Sequence, residues 1–383
     1  MKKFNNEIII IGGNHHNMLG VARSLGIKGY KSTAIITCEN DYAYVGKSKY
    51  FKDKYVIRED ENKIMAILMK IKDGLNDKAF IIPTSDFAAF FIDENYNKLS
   101  KYFILPSINE EEGLITKYMD KYNQFLLAKD NKIKMAKCVK IDLGSFSDYE
   151  SIEFNKCILK PIVSANGKKS DIRICMNQEE LFCSLNELKN IGYNDILVQE
   201  YIEFDLECGL IGCAHGKNII LPGIIKKERI YPPKRGSNSY AHIEKLVNNT
   251  QIEKIKKLIL KMNYSGMFDI EIFIKNNVIY LNEINFRNSG NTFAYCYNNV
   301  FIIYLWMLLK LEIDISDEKI SVSENFDYID ENLERKQLLH RNITIIEFLK
   351  TRKKAKARLF SYKNDFRVDF YKFIYAIKKR IMK

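Results

Sequence analysis

Proline is scarce in this chain, at six residues in 383, and with only 18 glycines there is no composition for a long flexible linker. Long hydrophobic runs are missing too. The most apolar stretch, Val300 to Leu309, is ten residues, too short to span a bilayer. At the start, two lysines precede a short isoleucine run that ends at Gly12-Gly13. Without a longer apolar core or a small-residue cleavage site, no signal peptide is expected. The eight cysteines are scattered, Cys208 and Cys213 lying closest, and no C-x-x-C pair occurs. That spacing excludes the common zinc and redox motifs and reads as reduced, buried cysteine in a cytoplasmic protein. No Ser-His-Asp or Cys-His arrangement points to a covalent nucleophile.

What is present is ordinary globular composition, 46% hydrophobic and 28% charged, with length for two or three domains. The charge is unevenly placed. Glu331 to Lys383 holds 16 Lys and Arg against five Asp and Glu, so this stretch carries nearly all of the net +12. A nearly neutral body excludes a nucleic-acid-binding core. In the basic stretch Phe366, Phe370, Phe373, Ile374, Ile377 and Ile381 recur on one helical face, among Arg367, Lys372, Lys378, Lys379, Arg380 and Lys383. Two readings stay open. The helix lies on an anionic membrane surface or near an envelope precursor, peripheral to the inner face of the membrane. Alternatively it docks on its own domain or on a second subunit, a homodimer.

Along the chain, Glu7 to Ile11 reads as a strand, Asn17 to Gly26 as a helix and Lys31 to Thr37 as the next strand. This β–loop–α–β unit begins a parallel sheet. Its loop holds His15 and His16 but does not complete G-x-G-x-x-G. Phe80 to Pro83 is another strand, ending at Thr84-Ser85-Asp86, where the polar residues either meet a ligand or cap the next helix. Helix Leu114 to Ala128 contains Lys121, and strand Cys157 to Lys160 stops at Pro161 before a small-residue hairpin, Val163 to Ser170. Such a hairpin offers backbone N–H groups, and lysines act as point charges on phosphate. Gln199-Glu200-Tyr201-Ile202 ends a strand whose backbone can meet an adenine edge, and Glu207 can accept ribose hydroxyls.

The strongest constellation is the hairpin Met267 to Ile284, turning at Asn276-Asn277. Glu271 lies on its first strand, while Glu283 and Asn285 share a face of the second. Oxygen ligands on rigid strands suit Mg2+. Arg287 follows and can neutralise a phosphate or carboxylate beside the metal.

In order, these features resemble the ATP-grasp superfamily, from about Ile8 to about Leu309. The resemblance is carried by I-L-K-P (158–161), V-Q-E-Y-I (198–202), Glu207, F-D-I-E (268–271) and N-E-I-N-F-R-N-S-G (282–290). It implies an α/β plus α+β chain: a parallel-sheet domain over 1–115, a two-lobed ATP-grasp module over 116–310 and a basic helical extension over 311–383. The lid lobe would run over about 120–202 and the metal lobe over about 203–310. ATP and Mg2+, or Mn2+ in its place, are the implied cofactors. Lys121 and Lys160 would touch phosphates beneath a loop with Ser164, Gly167 and Lys168. Glu200, Tyr201 and Ile202 would read adenine, Glu207 the ribose, and Glu271, Glu283 and Asn285 would hold the metal. Arg287, with Lys160 and Arg229, would be catalytic.

Ser85 to Phe91 and M-D-K-Y (119–122) look like D-aspartate ligases. Lys227 to Tyr240 looks like small ATP-grasp enzymes of cell-surface polysaccharide clusters, which would set Arg229, Gly236, Ser237 and Ser239 beside the substrate. His15, Asn17, Ser85 and Asp86 would reach it from the first domain. The implied activity joins a carboxylate to an amine through an acyl phosphate, without nucleic acid. The alternatives are a kinase or carboxylase without an amine acceptor, and a non-enzymatic nucleotide-binding protein.

Overall fold

The structure, a computed structural model, describes residues 3–39, 42–144, 152, 154, 156–162, 171–233 and 236–381, the last six by backbone alone. The isoleucine run forms the strand Ile8–Gly13 at the centre of a five-stranded parallel sheet. Ser32–Thr37 and then Phe51–Ile57 lie on one side of it, Ala79–Pro83 and Phe103–Ile104 on the other. The three inner strands are buried almost throughout, which is why they read as continuous apolar runs rather than alternating ones. Helix His16–Ile27 follows the first strand, and the His15 side chain caps it by accepting from the Asn17 N–H.

A four-stranded antiparallel sheet takes Cys138–Asp142, Asp195–Glu200, Cys157–Lys160 and Arg173–Cys175 in that order. Helix Gln178–Asn190 covers it through Leu181, Leu185 and Leu188. The third sheet has nine strands. From one edge come Val278–Asn285, Tyr264–Lys275, Leu206–His215, Ile224–Tyr231, Ser237–Glu244, Phe326–Ile329 and Ala357–Arg358, with Asn218–Ile220 and Ser107–Ile108 as side pairings. Helix Ile302–Lys310, within the most apolar run of the sequence, is buried all round. It joins the first sheet to the third in one core. Among the described residues no helix is long and apolar enough to cross a membrane.

The expected basic helical extension holds three helices, Glu331–Leu339, Ile345–Lys354 and Arg367–Ile381. It also adds the strands Phe326–Ile329 and Ala357–Arg358 to the large sheet. The last helix docks, but not by the face its phenylalanines mark. Val368 is buried, Tyr375 stacks on Tyr42 at 4.4 Å, and the Tyr42 hydroxyl donates to the Tyr371 carbonyl at 2.6 Å. Phe366, Phe370 and Phe373 are left 67%, 58% and 64% exposed.

A fully buried ion pair ties the extension to the first domain. Arg23 Nε meets Asp365 Oδ2 at 3.0 Å, both side chains fully buried. Asp365 also accepts from Ser48 Oγ at 2.7 Å and from the Lys49 N–H at 3.0 Å. Removing one partner strands a charge in the core, a loss of about 3–5 kcal/mol. Asp365→Ala should therefore unfold at clearly lower urea concentration than wild type. Arg23→Met with Asp365→Leu should cost much less than the sum of the single changes; additive losses in chemical denaturation would show that the pair is not coupled.

Candidate active site

Antiparallel pairing sets Glu271 directly opposite Glu283. A register shift follows at once, because Ile272 pairs with Leu281, so that Asn282 is the extra residue of a bulge. Asn282 and Glu283 consequently line the same cavity as Glu271. Its volume is about 670 Å³. Two carboxylates in register repel, and each has a cation beside it here. Lys121 Nζ lies 3.3 Å from Glu283, while Lys227 Nζ bonds Glu207 and stands 3.5 Å from Glu271. Burial opposes the charge on Lys227, but Glu271 and Glu207 outweigh it and hold the ammonium well above its ordinary pKa. Asp269, one alternation back, is pushed up by burial and by Glu271.

Lys160 ends its strand at the cavity wall, and its Nζ donates to Asn282 Oδ1 at 3.5 Å. Burial first, then the Lys121 charge, lower its pKa to about 8. Lys121 is placed by a helix cap: Asp120 accepts from the Tyr122 and Asn123 N–H groups, starting helix Lys121–Asp130. One turn on, Gln124 bonds both backbone groups of Ile284, at 2.9 and 2.8 Å. That bridge fixes the helix to the edge strand beside Glu283.

Arg287 closes the far end of the cavity. Its Nε donates to Asp86 Oδ1 at 2.5 Å and its Nη2 to Asn285 Oδ1 at 3.5 Å. Burial works against its charge, and Asp86 more than offsets that, raising its pKa. Glu200, Tyr201, Ile202, Glu207 and Gly236 line the same cavity, with Phe204 and Phe273 stacked at 4.2 Å. The site thus gathers Asp86, Lys121, Lys160, Glu271, Glu283, Asn285 and Arg287 around one space.

Other expected site residues lie elsewhere. Arg229 forms a fork with Glu334, at 3.2 and 2.8 Å, donates to Thr351 at 2.7 Å and is absent from the cavity lining, so the structure gives it a role in holding the C-terminal helices. Ser239 is buried, donating to the Arg229 carbonyl and accepting from Gln337. Ser237 opens its strand outside the lining. Asn17 is also buried; it donates to the carbonyls of Thr84 and Asn288, both at 2.9 Å, and ties three loops together rather than facing a ligand. Ser85 caps helix Asp86–Glu94. His15 is exposed, its ring tilted against that of His16 with centroids 4.0 Å apart, and the neighbouring imidazole lowers its pKa to about 3. The charges of Asp330, Lys372 and Arg287 also reach it. Ser164, Gly167 and Lys168 lie outside the described residues.

Lys227 and Asn282 lie within the sequence motifs but have no role of their own there, and Gln124 is not singled out. The oxygens of Glu271, Glu283 and Asn285 fit a hard divalent cation. Among the described residues no three or more His, Cys, Asp or Glu are grouped so as to hold a metal ion, and the set at this hairpin is two carboxylates and an amide.

Residues 126–300 match the family model of the ATP-grasp domain. A formate-dependent phosphoribosylglycinamide formyltransferase of Prochlorococcus marinus is 29% identical over 55% of this chain and 54% of its own. The chain spans about half the length, or less, of the curated relatives it matches. Among solved structures, the L-amino acid ligase of Bacillus licheniformis superposes with TM-score 0.65 at 14% identity, over 85% of this chain and 80% of that one. The N5-carboxyaminoimidazole synthetase of Staphylococcus aureus does so with TM-score 0.64 at 16% identity, over 89% and 87%. These likenesses show a shared fold.

An anion placed against Lys160 will raise its pKa from about 8. Binding of ADP should therefore take up a proton near pH 8 and almost none at pH 6.5. Affinity should fall as pH rises through about 8, approaching about tenfold per pH unit. Calorimetry in buffers of different ionisation enthalpy reads the proton directly, and Lys160→Met should abolish the uptake. Equal uptake in that variant would assign the titration to another group.

Proposed function

We propose, from the ATP-grasp domain that this chain carries over residues 126–300, that it is an ATP- and Mg2+-dependent ligase joining a carboxylate to an amine, with ADP and phosphate as products. The observation that supports this reading is the cavity in which three lysines, the two opposed carboxylates, two asparagines and an arginine converge beside Gln199–Ile202. The parts implied are a first domain over 1–115, the ATP-grasp module over 116–310 and the extension over 311–383.

In this reading a carboxylate oxygen of the acid attacks the γ-phosphorus of ATP, and ADP leaves. The acyl phosphate so formed has a good leaving group. The amine nitrogen attacks its carbonyl carbon, the amine loses a proton, and inorganic phosphate departs with the C–O electron pair. Glu271, Glu283 and Asn285 would hold Mg2+, which supplies charge neutralisation at the transferring phosphoryl group. Lys160 and Lys121, both buried at the cavity wall, would bind phosphate oxygens. Arg287, kept cationic by Asp86, orients the acid or its phosphate.

The acid is a small carboxylate with an amine partner. The names of the relatives, a formate-dependent formyltransferase and an amino acid ligase, support that class. A D-aspartate-ligase-like reaction, or one on a cell-surface polysaccharide or its precursor, is the narrower form of the proposal. Asp86 in the cavity supports it, whereas Arg229 and Ser239 do not contribute. The proposed setting is the cytoplasm.

ADP and phosphate release across a matrix of carboxylates and amines, D- and L-aspartate and formate included, tests the ligase. Release should require both partners, and Glu283→Gln should reduce kcat at least about 100-fold while the protein stays folded. Release supported by a single substrate, with a phosphorylated product, would replace the ligase by a kinase.

A further inference from the structure

The last helix carries an apolar face that the fold does not use. Phe366, Phe370 and Phe373 stay exposed while Val368, Tyr371 and Tyr375 do the docking. Beside them runs a groove of about 620 Å³ between the helix and the segment Gly46–Lys54. Phe366 and Phe370 form part of its wall, so the groove and the apolar face are continuous. Its lining includes Lys47, Lys49, Lys52, Lys54 and Arg367, against one carboxylate, Asp53. Lys52 also reaches Glu7, Lys54 donates to the Gly46 carbonyl at 2.9 Å, and Lys47 sits 4.7 Å from the Tyr371 ring centroid. The cations are thus held in place along the rim of an aromatic stripe.

We infer that this face binds the surface of an anionic bilayer, with the phenylalanines entering the headgroup boundary and the groove cations meeting lipid phosphates. Three observations select that occupant. The stripe and the cations adjoin in the pattern of an interfacial helix, apolar on one side and basic at its edge. The chain around the stripe is strongly basic, with sixteen Lys and Arg against five Asp and Glu from Glu331 on. A second copy is disfavoured, because a two-fold contact would set the same five cations against themselves. The helix lies on the surface and does not cross it, since among the described residues no span is long and apolar enough. The surface stands apart from the cavity of the ligase and does not depend on that reading.

The test uses the full chain with sucrose-loaded vesicles, either pure phosphatidylcholine or phosphatidylcholine with about one third phosphatidylglycerol. Wild type should sediment with the anionic vesicles at least about tenfold more tightly than with the neutral ones, and lose that preference as salt rises. Phe366→Ser, Phe370→Ser and Phe373→Ser combined should abolish binding. Lys49→Glu, Lys52→Glu and Arg367→Glu combined should abolish the preference for anionic lipid. Thermal melts matching wild type confirm that either variant is folded. Equal sedimentation with both vesicles, no binding at low salt, or unchanged binding by folded variants would overturn the proposal. So would a wild-type dimer that becomes monomeric in the phenylalanine variant, because the stripe would then be covered by a second copy.

Discussion

Glu271 and Glu283 face each other across an antiparallel pair, and like charges so placed push the strands apart. The surrounding structure is arranged to hold them. Lys121 comes from a helix and Lys227 from a strand two places across the sheet, each ending at one of the carboxylates. Lys227 therefore keeps its proton strongly, whereas Lys160, buried and with Lys121 as neighbour, holds its own weakly. The two ammonium groups are divided in role by that difference. One neutralises the resting site, and the other is ready to gain from an incoming anion.

Precision at this hairpin is imported from elsewhere. Gln124 behaves as a one-residue strand, bonding both backbone groups of Ile284 and so setting the distance between the Lys121 helix and Glu283. Asn17, Thr84 and Asn288 join the ends of two parallel strands to the segment after the hairpin. Gly290 shows how tight that joint is: a Cβ there would come within 2.8 Å of His16 Nε2. Arg287 is thus delivered to Asp86 by loops from two different sheets.

Much of the site was legible in the sequence because its residues are close in the chain. Glu271, Glu283, Asn285 and Arg287 sit on one hairpin and its exit, where a period of two suffices to place them. Lys227 and Arg229 show where that rule stops. Strict alternation puts them on one face, but the register shifts between Lys227 and Arg229, and Arg229 turns to Glu334 instead of the cavity. Gln124 was unreadable because its partner lies 160 residues away. In the last helix the period of 3.6 found a real apolar face. The docking face, Val368, Tyr371 and Tyr375, has the same period, but its tyrosines count as weakly apolar. The parallel sheet, by contrast, announced itself in the isoleucine run, since strands buried on both faces need no alternation.

The ion pair between Arg23 and Asp365 joins residues 342 positions apart. At a synthesis rate of about 5–20 residues per second, Arg23 waits roughly 20 to 70 s for its counter-charge to be made. During that time the groove that will receive Asp365 has a guanidinium at its base and no partner for it, and two strands of the large sheet are still missing. The N-terminal sheet can pair its strands early, but the ion pair that ties it to the C-terminal segment waits until Asp365 has been made. A chain whose synthesis stalls before Asp365 therefore leaves Arg23 without its counter-charge.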